Sequence, residues 1–519
     1  MSRLHRLLAP VVDVRREEAP TAALLFLYSF LAMAAYNAIK PITRSAFIRD
    51  LGADNLPWMP LATAFLIAGL MSGYAWLMRR LPSRWGLPIV QASMAALLVL
   101  FRLLFATRWW WVAATFYIWG LVMGILLTSQ FFTLANVLYD PRQAKRLFGF
   151  VWAGAPLGGL AGATAAASAQ ALGTFNLLLY SAAAMLACAA IVSAVVARER
   201  PDAALTAATA ETEKGVGAGE AIALLRRSRH LQTIALVIMF AALGAQIVEQ
   251  QLNMAAEAAK GRGDVDAITA FLGKVGIWMS AIAFAIQLGL TSRIHRLLGL
   301  GFALLVLPVG LASTAIVMLL NAALWAPGLA RVLDQSLRYT VDKTTREILF
   351  LPLPADLKLQ AKPFVDVTVD RFAKGVAGLL LLVLVQPWGL NLDWQRISYA
   401  SLGLTGLWVA AALRAKRDYV AAFRQSLERR ELPSEEAALP TADLTTIETL
   451  IQELAHPDPQ RVIYAIDVLE ALEKGSLVTP LLLRHESPAV RARALAALAR
   501  LPVQTAARWR GPIEGMLAD

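Results

Sequence analysis

The sequence has little cysteine and little charge, and each shortage excludes a class of protein. Cys188 is the single cysteine among 519 residues, so a disulfide or a cysteine metal cluster within one chain is excluded. Charged residues make up 17% of the chain and hydrophobic residues 58%, whereas a soluble protein carries about 25% charge. No P-loop or Gly-rich dinucleotide motif is present. We therefore expect an integral membrane protein that is not an enzyme and has no cofactor and no metal site.

Long apolar runs are what the chain has in abundance. A helix needs about 20 apolar residues to cross the hydrocarbon core of a bilayer, and reading the runs between charged or Pro/Gly breaks predicts twelve spans. In the first half they are 20–39, 57–78, 86–105, 109–132, 147–171 and 174–197; in the second half they are 231–252, 267–290, 299–320, 322–341, 364–386 and 398–414.

The spans are grouped into two sets of six. A polar, Ala/Gly/Thr-rich linker at 198–230 separates a first half, 1–197, from a second half, 231–417; a Pro/Glu linker at 418–443 then leads to a tail at 444–519. This plan is typical of the major facilitator superfamily, in which two six-helix halves rock about a site at the membrane midplane. The predicted fold class is all-α: a membrane domain of about twelve helices and a small cytoplasmic α-solenoid tail.

Loop charge predicts the orientation. Lys and Arg collect in alternate loops, which places those loops and both termini in the cytoplasm. The same bias accounts for the net charge of +12, so we expect the lipid bilayer, and no nucleic acid, as a partner. Lys40, Arg44 and Arg49 break the rule, because they follow span 1 on the outer side. Positive residues on the side where loops normally lack them suggest a functional role.

Small residues in span 5 form a stripe. Gly158 and Gly162 have the GxxxG spacing that lets two helix backbones approach closely. A packing face is the favoured interpretation, and a face that lines the substrate path is the alternative.

The tail contains two similar blocks, 456–472 and 485–501. Each has a His, a polar turn with Pro, and then a helix with apolar residues at helical spacing, which is the pattern of a helical-hairpin repeat. The blocks resemble HEAT repeats. We expect the histidines at turn positions rather than on a metal, and the tail as a docking or regulatory module for a soluble protein.

Charged residues inside spans are costly and indicate function. Lys40 and Arg44 lie one helical turn apart at the end of span 1, and Glu249 lies in span 7. The remaining charges form two stripes of alternating sign, which can neutralise each other across spans 10 and 11 at an inner gate. The gate candidates are Asp334, Arg338, Asp342, Asp366, Asp370 and Arg371. Lys374 lies deepest in the apolar run, and for Lys374 and Glu249 we favour a transport role.

Three segments resemble the ATP/ADP translocases of plastids and intracellular bacteria, and most of all free-living bacterial relatives that carry a HEAT tail. They are FFTLANVLYDPRQAKRLFGF (131–150), IVEQQLN with AFLGKVGIW (270–278), and TREILFLPLPADLKLQAKPFVDVTVDRFAKGVAG (345–378). The resemblance implies an exchange of nucleotides that needs a lysine in span 1, glutamates in spans 4 and 7, and a lysine in span 11. Glu249 and Lys374 match two of these positions, Lys40 or Arg44 supplies the span-1 charge, and Tyr117 replaces the span-4 glutamate.

The predicted function is alternating-access exchange of a phosphate-bearing anion, such as a nucleotide, held by Lys40, Arg44 and Lys374, with Glu249 balancing charge. One alternative is an exporter of a lysophospholipid, drug or organic anion, coupled to protons through Glu249 or Asp370. Another is a membrane scaffold that recruits a partner through residues 444–519.

Overall fold

The computed structural model describes residues 14–199, 225–429 and 444–500, with short gaps at 16, 226–227, 290, 354–356, 359–360, 363 and 472–473, and residue 514. These residues form helices joined by turns, and the described part contains no strand. Most of the predicted linker at 198–230 and residues 430–443 of the second linker lie outside it.

Each predicted span corresponds to a helical segment. The first six are α1 Ala19–Leu51, α2 Trp58–Arg80, α3 Ser83–Leu104, α4 Trp110–Leu138, α5 Pro141–Ala167 and α6 Leu177–Glu199. The next three are α7 Arg229–Lys260, α8 Val265–Gly289 and α9 Thr291–Leu320. The last three are α10 Trp325–Leu337, α11 Asp370–Val385 and α12 Ile397–Arg429.

Nine helices of the described chain, α1 to α9, are long and apolar enough to cross a membrane. The other three do not meet the same criterion. A π-helical turn, Arg338–Asp342, joins α10 to a further helix at Lys343–Leu349, and a second such turn, Phe364–Val369, precedes α11. α12 runs well past the predicted end of span 12 at residue 414. α10 and α11 are short, at 13 and 16 residues, and each adjoins one of these turns.

The predicted end of span 1 is wrong. α1 continues from residue 39 to Leu51, with Pro41 inside the helix. The apolar side chains of Ile42 and Phe47 are buried against the rest of the protein, and burying them favours continuation of the helix. Lys40 and Arg44 therefore lie on a packed helix inside the bundle, not in an outer loop.

Small residues bring helices together both within and between the halves. A Cβ atom at Gly158 would lie 2.0 Å from the Phe30 carbonyl oxygen, so α5 touches α1 backbone to backbone and the predicted packing face is confirmed. Between the halves, a Cβ atom at Gly273 of α8 would lie 2.3 Å from the Ala167 amide nitrogen of α5. Such contacts leave no room for a side chain.

Hydrogen bonds join the halves at one end of the bundle. We call the end where α6 stops and α7 starts the linker face, and the opposite end the far face. At the far face the Ala53 amide donates to Glu257 (2.8 Å), and the Gln250 side chain donates to the Ala53 carbonyl (2.7 Å). The Gln386 side chain donates to the carbonyl of Asp54 (2.9 Å). These bonds hold the far ends of the two halves together.

The tail forms three helices, α13 Leu444–Glu453, α14 Pro459–Ala471 and α15 Pro488–Ala499. His456 Nδ1 accepts a hydrogen bond from the Asp458 amide, and His485 Nδ1 accepts one from the Ser487 amide, both at 3.1 Å. The two histidines thus occupy equivalent turns, as predicted. That the tail is a HEAT repeat stays a prediction.

The tail has its own hydrophobic core, which includes the equivalent residues Ala465 and Ala494, and Leu469 and Leu498. Phe423 of α12 packs into the same core. The tail is therefore attached to the membrane domain through the end of α12, on the linker face.

Candidate functional site

A partly buried ion pair joins the two halves between α1 and α7. Arg44 of α1 donates to Glu249 of α7 through Nη2. The two side chains keep 14% and 15% of their surface accessible, so they border an accessible space and are not sealed in a core. Arg44 and Glu249 were both predicted site residues, and the structure brings them into direct contact.

The ion pair extends into a row of charges of alternating sign. The other Glu249 oxygen accepts from Arg331 Nη2 at 2.8 Å, and Arg331 Nη1 lies 3.3 Å from Asp334 Oδ2. Asp334, which has no accessible surface, also accepts from Arg338. The order is Arg44, Glu249, Arg331, Asp334, Arg338. Each buried charge in the row has an opposite neighbour, which offsets its desolvation.

Arg331 is the residue that sequence reasoning missed. It lies three positions before Asp334 in LARVLDQSL, and a stripe of charges spaced four apart does not include it. Residues three apart also share a helix face. Counting that spacing would have added Arg331 to the stripe.

Lys40 is near the row but outside its pairing. Among the described residues, its amine makes neither a hydrogen bond nor an ion pair, although Arg44, Arg331, Glu249 and Lys374 all lie within electrostatic range. A cation that the carboxylates of the row do not pair leaves the centre with an excess of positive charge. Such a site attracts anions.

Tyr117 also reaches this cluster. It lies within electrostatic range of Glu249, Arg44 and Arg331, and its ring meets Phe47 edge-on with centroids 5.9 Å apart. Tyr36, which the sequence analysis did not select, lies within range of Arg44 and Glu249 as well. Phenolic hydroxyls both donate and accept hydrogen bonds, so the tyrosines can contact an anion or its polar groups.

The charges of span 11 do not form the predicted pairs with span 10. Asp370 pairs with Lys374, one turn further along its own helix, at 2.6 Å. Asp366 and Arg371 are exposed. The physical reason is spacing, because i,i+4 neighbours on one helix already satisfy Asp370 and Lys374. Lys374 keeps 43% of its side chain accessible, so its pair is open at the edge of the cluster.

The predicted stripe of span 10 also ends early. Arg338 pairs with Asp334, whereas Asp342 pairs with Arg346 at 2.6 Å. Both aspartates belong to i,i+4 pairs, and among the described residues no ion pair continues the row from Arg338 to Asp342. The described residues also include no group of three or more His, Cys, Asp or Glu placed to hold a metal ion.

The fold has solved counterparts. A crystal structure of the peptide transporter POT in complex with sulfate aligns with a TM-score of 0.51 over 80% of this chain and 99% of that one, at 16% identity. At this identity the likeness shows the fold alone, a bundle of membrane-spanning helices like the bundle of that transporter.

The sequence comparisons show similarity to one family of transporters. Residues 88–325 match the family model described as TLC ATP/ADP transporter. The ADP,ATP carrier protein 1 of Chlamydia muridarum is 22% identical in an alignment of length 381 that covers 64% of this chain and 70% of that protein. The ADP,ATP carrier protein 3 of Rickettsia conorii is 22% identical in an alignment of length 359 that covers 60% of this chain and 71% of that protein. The chain is thus similar in sequence to the ATP/ADP translocases, which confirms the resemblance found in its motifs.

Proposed function

We propose that this protein exchanges a nucleotide such as ATP or ADP across the membrane by alternating access. The observation that carries the proposal is the convergence of cations from both halves on one site. Lys40 and Arg44 come from α1, Arg331 from α10 and Lys374 from α11. A substrate held by both halves at once is what a rocking mechanism requires.

The chemistry of the site suits a phosphate chain. Guanidinium groups bind phosphate oxygens in pairs of parallel hydrogen bonds, and a lysine amine adds a compact positive charge. Glu249 faces Arg44 and Arg331, and it balances their charge while no anion is bound. Tyr117 is available to the substrate's polar groups.

Counter-exchange or an ion gradient would drive the cycle, because the sequence has no P-loop for hydrolysis. The nucleotide proposal is supported by the family match over residues 88–325. The exchange of one anion for another also fits a site whose cations need a counter-charge when empty.

The linker face would lie in the cytoplasm of a bacterial inner membrane, with both termini on that side. The tail would then be cytoplasmic, because α12 carries it on the linker face. A soluble partner that docks on residues 444–519 remains part of the proposal.

Purified protein in liposomes tests this function. Vesicles loaded with unlabelled ADP should take up labelled ATP or ADP, and Lys374→Ala should reduce that uptake to background, because it removes a cation of the site. Lys362→Ala is the matched control, since Lys362 pairs with Glu347 at 2.5 Å and is not part of the cluster. Normal nucleotide exchange by Lys374→Ala would contradict the role of Lys374, and absence of exchange by the unaltered protein would contradict the proposed function.

A further inference from the structure

Arg331 is the most deeply buried cation that touches the pair joining the halves. It is 4% exposed, and its guanidinium lies between Glu249 and Asp334. Glu249 in turn holds Arg44 of the other half with its second oxygen. One carboxylate therefore binds two guanidiniums, one from each half of the protein.

We propose that Arg331 binds a phosphate group of the substrate directly, and that Glu249 is an internal anion which occupies Arg44 and Arg331 until the substrate takes its place. This inference rests on the proposed function and extends it, because it assigns a residue and an order of events to the same site.

Geometry favours this assignment. Two guanidiniums that converge on the two oxygens of one carboxylate are also placed to converge on two oxygens of one phosphate. Replacing one anion by another keeps both arginines paired throughout, and so avoids the large cost of an unpaired buried charge. Asp334 keeps its contact with Arg331 during the replacement and holds the guanidinium in position.

Arg338 provides the contrast within the same helix. It forms an ion pair with Asp334, which is completely buried, and that pair lies within one half. Glu249, by contrast, keeps part of its surface accessible and bridges the halves. A carboxylate in that position can leave its partner for solvent or for Lys40, which lies within electrostatic range.

The experiment compares nucleotides that differ only in their number of phosphates. ATP, ADP and AMP compete with labelled ADP for the purified full chain, and an inhibition constant is measured for each. In Arg331→Gln we expect the constant for ATP to rise by about 10–100-fold, the effect of one charge-assisted hydrogen-bonding partner, and that for AMP to rise much less. Arg331→Lys keeps the positive charge and removes the paired hydrogen-bond donors of the guanidinium. Its inhibition constant for ATP should lie between that of the unaltered protein and that of Arg331→Gln. This variant also tests the proposal if Arg331→Gln does not fold.

Arg396→Gln is the control, because Arg396 is exposed and pairs with Asp393 between α11 and α12. Equal weakening for all three nucleotides in the Arg331 variants would indicate a structural role and overturn the proposal. Unchanged constants in Arg331→Lys together with Arg331→Gln would overturn it as well. Failure of the unaltered protein to bind any nucleotide would instead overturn the proposed function, and this inference with it.

Discussion

The two halves of the membrane domain bring different charges to the centre. The first half contributes Lys40 and Arg44, both positive, and the tyrosines Tyr36 and Tyr117. The second half contributes both signs, with the carboxylates Glu249, Asp334 and Asp370 facing Arg331, Arg338 and Lys374.

The difference has a mechanical consequence. Charges of the second half can be satisfied within that half, whereas Arg44 finds its counter-charge across the interface, in Glu249. When the halves move, Arg44 needs either that carboxylate or an anion that travels with it, because an unpaired charge in a low-dielectric site is costly. The first half is therefore dependent on substrate in a way that the second half is not.

Removal of the first half's guanidinium should have the largest effect. In Arg44→Gln we expect nucleotide exchange to fall by about 100-fold or more, because the variant removes a charge-assisted contact from the half that has few of them. Exchange of labelled ADP in liposomes measures the loss. Arg44→Lys, which keeps the charge, should recover part of the rate. Normal exchange by Arg44→Gln would contradict the dependence of the first half on the substrate.

Neutralising the bridging carboxylate should give a smaller and opposite effect on binding. In Glu249→Gln, Arg44 and Arg331 lose the carboxylate that pairs with them, so the affinity for ADP should rise by about 10-fold. Exchange should slow, because release of the bound ADP then leaves both arginines unpaired. Equilibrium binding and exchange rates are measured on the same preparation.

Glu347→Gln serves as the control for that variant, because Glu347 is exposed and pairs with Lys362 outside the cluster. Weaker ADP binding by Glu249→Gln would mean that Glu249 bonds to the substrate and does not compete with it.

The smallest effect is expected for the ion pairs of the tail, which lie outside the membrane. Burial alone raises the pKa of Glu470, but hydrogen bonds from Arg493 and Arg500 outweigh it and lower the pKa below its ordinary value of 4.5. The stability that these pairs contribute is present above pH 4.5 and is lost as the pH falls through the lowered pKa of the folded tail. We expect about 0.5–1 kcal/mol, the usual value for partly exposed pairs.

Hydrogen exchange of tail peptides in the full chain, corrected for intrinsic rates, measures this stability between about pH 6 and pH 3. Glu470→Gln should remove the part of the pH dependence that Glu470 contributes. An unchanged profile in the variant would assign the dependence to other groups.

Much of the architecture could be predicted because it depends on local pattern. Apolar length predicted helical segments at all twelve places, and the spacing of Gly158 and Gly162 predicted a packing face. The matching histidines of the tail predicted equivalent turns. Such features repeat with the period of one helix, so neighbouring residues suffice to define them.

The extent of α1 was not predictable in the same way. Charge at Lys40 and Arg44 and a proline at Pro41 resemble the end of a span, yet the helix continues to Leu51. Packing of its apolar side chains against other helices outweighs the local signals. Only the tertiary structure contains that contribution.

The sequence by itself determined a helical membrane transporter with embedded charges, and its motifs selected Lys40, Arg44, Glu249 and Lys374. Only the tertiary structure decided which charges meet: Glu249 lies between Arg44 and Arg331, more than 80 residues away from either along the chain. The physical reason is that a run of apolar residues defines one helix by itself, whereas the partner of a buried charge depends on how separate helices pack.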